Sequence, residues 1–323
     1  LNLNDAIYVS KQLEKAGVDM LHVSGGTTIK RGSSIPAPGT KMGSHSALSA
    51  EIKKHVSIPV ATVGRITEPW LAEELLENDK ADICMIGRAN LCEPEFCNKA
   101  QAGHEEDIRP CIGCLRCLNG IMFGKRVACT VNPSLEPENE DTITPAKETK
   151  NVLVIGGGPA GMEAAYVAAK RGHHVVLADR QDSLGGTVRI AAVPIAKQDL
   201  TQLIKYQAHK LEQAGVKVLL NTEVTLETIQ KDYPDYEVIL CAGATPVVPQ
   251  FMTQFKDWMT ADDVLYGRKF PGRKIVVIGG GSVGCETADY LAPVLNDRFP
   301  RNREITLIEM AHEIMEAESG PGR

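Results

Sequence analysis

The sequence predicts an α/β protein: the C-terminal part of a TIM (β/α)8 barrel, then a cysteine-rich segment, then Rossmann-like nucleotide-binding domains. Three observations predict it. Residues 1–102 alternate helical stretches with short, continuously apolar strands, the pattern of parallel strands buried under helices. Four cysteines fall within 19 residues, from Cys111 to Cys129. Two G-x-G-x-x-G turns, Gly156–Gly161 and Gly279–Gly284, each stand between an apolar strand and a helix.

Taken in order, Asp5 to Gly17 is amphipathic and stops at a glycine suited to cap a helix. Met20-Leu21-His22-Val23 is a strand that runs into Ser24-Gly25-Gly26. A second helix covers Ser44 to His55, and the strand Pro59 to Val63 leads into Gly64-Arg65. A third helix begins near Glu68 and carries Trp70, Leu71, Leu75 and Leu76 at helical spacing. The strand Ile83 to Ile86 then ends in Gly87-Arg88. A closed barrel takes eight strands, and three are seen. The stretch therefore reads as an unusual open layer or as a piece lacking the first five strands, and Leu1 at the first position favours the piece.

Two successive strands ending in Gly-Arg suggest an anion site at Gly64, Arg65, Gly87 and Arg88. Barrel loops after the last two strands often hold phosphate. Glycine lets backbone N–H groups approach an anion, and arginine adds a charged, forked donor. The bland alternative is a pair of turn glycines beside solvated arginines.

Cys111, Cys114, Cys117 and Cys129 form the pattern C-x2-C-x2-C-x11-C. Three thiolates within seven residues can wrap one face of a [4Fe–4S] cubane, with a fourth closing it from a distant loop. Four thiolates also suit tetrahedral zinc, so both metals stay open on spacing alone, as does no metal. Ile112, Leu115, Leu118, Ile121 and Met122 are expected to keep water from the site. Residues 136–150, rich in Glu, Pro, Thr and Lys, read as a linker.

After the linker, Asn151 to Ile155 is a strand running into Gly156-Gly157-Gly158-Pro159-Ala160-Gly161, followed by an alanine-rich helix over Met162 to Arg171. The next strand ends at Asp179, 18 residues past Gly161. Gly156, Gly158 and Gly161 permit the tight turn and the approach of a pyrophosphate to the helix N-terminus, while the acid accepts from a ribose hydroxyl. Leu184-Gly185-Gly186-Thr187 and the strand Val238 to Ala244 follow. The second copy uses Gly279, Gly281 and Gly284, with Glu309 closing the strand after a longer insertion over Pro293 to Arg303. An acid there favours a free 2′-hydroxyl, hence NADH over NADPH. Two such units in tandem suggest a flavin beside a nicotinamide.

Composition bounds the rest. The 323 residues carry 35 basic and 41 acidic side chains, a net charge of −6, which argues against nucleic acid or a polybasic membrane anchor as partner. A content of 43% hydrophobic and 24% charged residues is that of a globular protein, and no apolar run is long enough for a membrane span. Nine cysteines with no export signal read as a metal site plus free thiols in a reducing, cytoplasmic compartment. Cys84, Cys92, Cys97, Cys241 and Cys285 read as core residues. The expected partner is a small-molecule substrate, and a homo-oligomer is compatible with the sequence. The domain boundaries read are 1–102, 103–149, 150–272 and 273–323.

With these motifs in this order, the chain resembles the flavin- and iron–sulfur-containing NADH:flavin oxidoreductases related to old yellow enzyme. That group includes 2,4-dienoyl-CoA reductase, enoate reductase and trimethylamine dehydrogenase. Matching stretches are Val63-Gly64-Arg65-Ile66, Gly87-Arg88-Ala89, Arg109-Pro110-Cys111-Ile112-Gly113-Cys114 and Cys129-Thr130-Val131-Asn132-Pro133. The resemblance implies FMN with its phosphate near Gly64, Arg65, Gly87 and Arg88, with Arg88 reaching toward the rings. It implies a [4Fe–4S] cluster on Cys111, Cys114, Cys117 and Cys129. It implies FAD on Gly156, Gly158, Gly161 and Asp179, lined also by Gly185, Gly186, Ala242 and Gly243, and NADH on Gly279, Gly281 and Gly284. Electrons then pass from NADH to FAD, to the cluster, to FMN and on to an activated C=C bond of an enoate or 2,4-dienoyl-CoA type. The alternatives are a chain that serves only as a cofactor-binding electron-input module, and an amine dehydrogenase. The catalytic tyrosine of the family comes from earlier strands, so no catalytic residue is assigned here. The loop from Gly25 to Gly32 lacks the histidine of the dienoyl-CoA pattern, which points toward an enoate-reductase-like member.

Overall fold

The computed structural model describes residues 2–26, 34–135, 143–292 and 303–315. Residues 27–32 of the loop after the first strand, the start of the linker and nearly all of the second insertion lie outside them. The chain divides into two compact units, Leu1–Asp141 and Thr142–Arg323.

In the first unit, α1 (Leu3–Lys15) starts two residues before the expected Asp5. The reason is a reciprocal cap: Asp5 N–H donates to Asn2 Oδ1 at 3.1 Å, and Asn2 N–H donates to Asp5 Oδ2 at 2.9 Å. Gly17, at φ +89°, ends it as expected. Then come β1 (Leu21–Val23), α2 (Ser46–Lys53), β2 (Val60–Thr62), α3 (Pro69–Glu77) and β3 (Ile83–Cys84). The three strands form one parallel sheet in the order β1-β2-β3, with Leu21 opposite Val60 and Ala61 opposite Ile83. Central β2 is fully buried, and Leu21, Val23, Ile52 and Val60 pack beneath α1 and α2. Strand β3 is two residues shorter than expected and lies at the sheet edge, where Ile83 is exposed. In α3, Leu71 and Leu75 are buried and Trp70 faces out. The unit ends with α4 (Arg88–Cys92), α5 (Phe96–Gln101) and α6 (Arg116–Met122).

The second unit opens with β4 (Asn151–Ile155), α7 (Pro159–Lys170), β5 (His174–Ala178), α8 (Thr187–Ala191), α9 (Leu200–Gln213), β6 (Lys217–Leu219), α10 (Leu226–Asp232) and β7 (Tyr236–Leu240). Its parallel sheet has the order β6-β5-β4-β7. Val154, Met162, Ala165, Leu177 and Leu211 fill the space between sheet and helices. The expected strand to Ala244 stops at Leu240: Cys241 N–H donates to the Ile155 carbonyl at 2.7 Å, and Gly243 takes φ +71°. After α11 (Ala261–Leu265), β8 (Lys274–Ile278), α12 (Ser282–Leu291) and β9 (Glu304–Ile308) follow. Strands β8 and β9 pair in parallel, with Lys274 opposite Glu304. Among the described residues no helix is long and apolar enough to cross a membrane.

Candidate functional site

The first unit gathers its candidate residues where β2 and β3 end. Gly64 lies at φ +125°, where a Cβ would meet Ser44 Oγ at 2.6 Å and His45 Cδ2 at 2.9 Å, so this glycine is dictated by packing. Gly87 has no such constraint among the described residues, with none of their atoms within 4 Å of the place its Cβ would take. Arg65 donates to the Thr40 carbonyl, and Arg88 Nη2 donates to that of Pro36 at 2.9 Å. The other terminal nitrogen of Arg88, Nη1, is buried and finds no acceptor among the described residues. Burial first, and the neighbouring Arg88 second, lower the pKa of Arg65. Two close, half-buried guanidiniums with a spare buried donor are short of negative charge. The pair therefore fits an anionic group such as a phosphate. The cavity they face is lined by Val63, Ile66, Met85, Leu118 and Ile121 among others.

A second cavity holds the cysteines. Cys111, Cys114, Cys117 and Cys129 all line it, together with Cys92, Arg88, Leu91, Ile112 and Leu115. Gly113 at φ +68° and Leu115 at φ +61° give the C-x2-C-x2-C run two left-handed residues, which curl the chain around its own sulfurs. Cys114 Sγ and Thr130 Oγ1 are 3.1 Å apart. The sulfurs of Cys92 and Cys129 are 3.5 Å apart. Hydrogen bonds to Cys111 and Cys129, reinforced by burial, push the Cys92 thiol far up, and the same bonds pull the Cys111 and Cys129 thiols down. Burial raises Cys117. Among the described residues no three of these thiols stand in metal-ligating positions as they lie. In donor type, and in facing one small cavity, they fit a thiolate-bound metal group.

Several residues that the sequence left without a role hold this loop. Asn132, 2% exposed, donates from Nδ2 to the Leu91 carbonyl at 2.9 Å. Its Oδ1 accepts from Arg109 Nη1 at 2.7 Å and from Ser134 N–H at 3.1 Å. Arg109 Nη1 also reaches the Cys92 carbonyl at 3.3 Å. Glu93, 6% exposed, pairs with Lys99 and accepts from Arg109 N–H. These bonds tie both cysteine-bearing segments to α4. The pairing of Arg109 before the first cysteine with Asn132 after the last was the available signal.

Three expectations are corrected. Ile121 and Met122 are 60% and 63% exposed, and neither lines the cysteine cavity. Cys97 is exposed on α5 rather than in the core. Cys92 is buried, but it borders the cysteine cavity instead of filling an apolar core. Cys84 and Cys285 are half-buried and donate to the carbonyls of Ala72 and Gly280, and half-buried Cys241 packs against the core of the second unit.

In the second unit both glycine turns close alike. A Cβ on Gly161 would lie 1.8 Å from the Gly156 carbonyl oxygen, and one on Gly284 would lie 1.8 Å from that of Gly279. Gly158 and Gly281 are the N-caps of α7 and α12. Asp179 Oδ2 accepts from Gly157 N–H, and its Oδ1 from Gln181 N–H at 2.7 Å. Glu309 Oε2 accepts from Gly280 N–H, and its Oε1 from Met310 and Ala311 N–H at 2.6 and 2.8 Å. Those backbone donors hold the Glu309 carboxyl below its ordinary range. Each acid retains lone pairs for a further donor. Gly185 N–H donates to the Gly157 carbonyl at 2.8 Å, a Cβ on Gly186 would touch Gly158 Cα at 3.1 Å, and Ala242 N lies 3.2 Å from the place of a Gly156 Cβ. Gly185, Gly186 and Ala242, with Gly243 next in the chain, thus border the first turn.

Residues 150–321 match the pyridine nucleotide-disulphide oxidoreductase family, and residues 3–107 match the NADH:flavin oxidoreductase / NADH oxidase family. Bilirubin reductase of Mediterraneibacter gnavus is 39% identical over 99% of this chain and 49% of its own. Cinnamate reductase of Clostridium sporogenes is 35% identical over 99% of this chain and 47% of its own. The solved structure of a 2-naphthoyl-CoA reductase bound to 2-naphthoyl-CoA superposes with a TM-score of 0.89 at 28% identity, over 97% of this chain and 47% of that one. The chain thus spans about half the length of the curated relatives it matches. It belongs to the pyridine nucleotide-disulphide oxidoreductase family and carries ahead of that region a segment that matches the NADH:flavin oxidoreductase / NADH oxidase family.

Proposed function

We propose that this oxidoreductase takes reducing equivalents from NADH and delivers them to an activated C=C bond of a conjugated acceptor, such as an enoate. The observation that carries the reading is the wall between the two cavities of the first unit. Arg88, Leu91 and Cys117 line both, so a group in the arginine cavity and one among the cysteines would be separated by single side chains. Bilirubin, cinnamate and 2-naphthoyl-CoA are all conjugated molecules, which supports the acceptor class.

FMN would lie beside Gly64, Arg65, Gly87 and Arg88, a [4Fe–4S] cluster on Cys111, Cys114, Cys117 and Cys129, FAD at Gly156, Gly158, Gly161, Asp179, Gly185, Gly186, Ala242 and Gly243, and NADH at Gly279, Gly281, Gly284 and Glu309. When bound, flavins exchange hydrides and a cubane carries single electrons. The chain supplies the setting. Arg65 and Arg88 neutralise and orient an anionic group. Leu91, Ile112 and Leu115 keep water from the sulfurs. The turns free backbone N–H groups at the starts of α7 and α12 for a pyrophosphate. Glu309 accepts from a ribose hydroxyl and repels a 2′-phosphate.

Anaerobically purified protein is expected to be brown, with about four irons per chain, and to oxidise NADH with both an artificial one-electron acceptor and cinnamate. Activity with the artificial acceptor alone would reduce the reading to an electron-input module. A colourless zinc protein would remove the cluster.

A further inference from the structure

Cys92 lies outside the C-x2-C-x2-C-x11-C pattern, yet it stands among the same sulfurs. It ends α4, is 3% exposed, and places its sulfur 3.5 Å from that of Cys129, in a cavity that Cys111 also lines. One side chain outside the pattern thus touches one pattern sulfur and shares a cavity with the other three. Its backbone is fixed by the network that fixes those segments: Arg109 holds the Cys92 carbonyl and Asn132 that of Leu91.

We infer that Cys92 is a fifth, non-ligating thiol that donates its S–H hydrogen bond to the sulfur of Cys129 and so raises the reduction potential of the cluster that Cys129 helps to hold. The inference rests on the [4Fe–4S] reading. Sulfurs bound to iron are thiolates without a proton, which leaves Cys92 as the donor. A donor to a ligand sulfur favours the more negative, reduced state, and hydrogen bonds to the sulfurs are among the terms that set such potentials. Cys92 therefore positions and tunes the ligands without being one.

The test is an EPR-monitored redox titration of the anaerobically prepared full chain, with iron counted first, on wild type, Cys92→Ala and Cys92→Ser. All three are expected to hold equal iron. Cys92→Ala should reduce less readily by roughly tenfold in the equilibrium, about 59 mV for a one-electron couple. Cys92→Ser keeps a donor and should stay with wild type. Equal potentials for wild type and Cys92→Ala, with iron retained, would overturn the inference. Loss of iron in Cys92→Ala would also overturn it, by making Cys92 a ligand. An iron-free wild type defeats the cluster reading itself, and this inference with it, before any potential is measured.

Discussion

The two glycine turns of the second unit are nearly alike in themselves and unlike in their surroundings. Gly156 and Gly279 take φ +111° and +104°, and each turn is closed by an acid that accepts from the glycine N–H next along, at Gly157 and Gly280. Around the first turn, β4 and β5 are buried at the centre of a four-stranded sheet. Around the second, β8 and β9 alternate between half-buried and exposed, and Val276, Ile278 and Ile308 are at least half exposed. The fingerprint is therefore a local structure. In both copies a strand end, a turn, a helix start and one acid come together in the same way.

The sharpest way to break this comparison is to add one methyl group to each turn. A Cβ on Gly156 would lie 2.2 Å from the Cys241 carbonyl oxygen, whereas one on Gly279 would meet nothing within 4 Å among the described residues. Gly279→Ala should cost only the left-handed backbone strain, about 1–2 kcal/mol. Gly156→Ala adds a clash with backbone, raising the loss to roughly 2–5 kcal/mol. Calorimetric melting of the intact chain checks this, with Gly161→Ala and Gly284→Ala as controls that should fail together, since both overlap a carbonyl at the same distance. Equal losses at 156 and 279 would mean that the surroundings do not reach the turn.

A smaller effect separates the two acids. Glu309→Ala should shift the ratio of kcat/KM for NADH over NADPH by about tenfold toward NADPH, about 1.4 kcal/mol. Asp179→Ala should leave that ratio unchanged and lower bound flavin instead. A coenzyme ratio that moves with Asp179 would exchange the roles of the two turns.

Both turns were legible in the sequence because everything that makes them is local: glycines at fixed offsets, apolar strands before and after, and an acid at the next strand end. Arg65 and Arg88 were legible for the same reason, each following a glycine at a strand end. The cysteine loop was legible only in its spacing. Its supports come from residues far apart in the chain, Asn132 to Leu91 and Arg109 to Asn132, and Cys92 meets Cys129 across 37 residues. No periodicity reports such contacts. Ile121 and Met122 were misplaced because apolar character does not say which way a seven-residue helix such as α6 is turned.

The finest test concerns how the second turn is held. Glu309 accepts three backbone N–H bonds, and these lower its carboxyl from the ordinary value. A carboxylate with a lowered folded-state pKa contributes stability above the ordinary range and loses it as pH falls through the lowered value. The side chain is half-buried at the edge of the turn, so the effect is read at the turn rather than in global stability. Hydrogen exchange at the Gly280 amide, corrected for intrinsic rate, should show constant protection from neutral pH down to about the ordinary glutamate range near pH 4, then a decline. Glu309→Gln should give weaker protection with no such decline. A wild-type amide equally protected in acid would show that the turn of β8 and α12 holds this glycine without its acid, and the likeness between the two copies would then stop at the backbone.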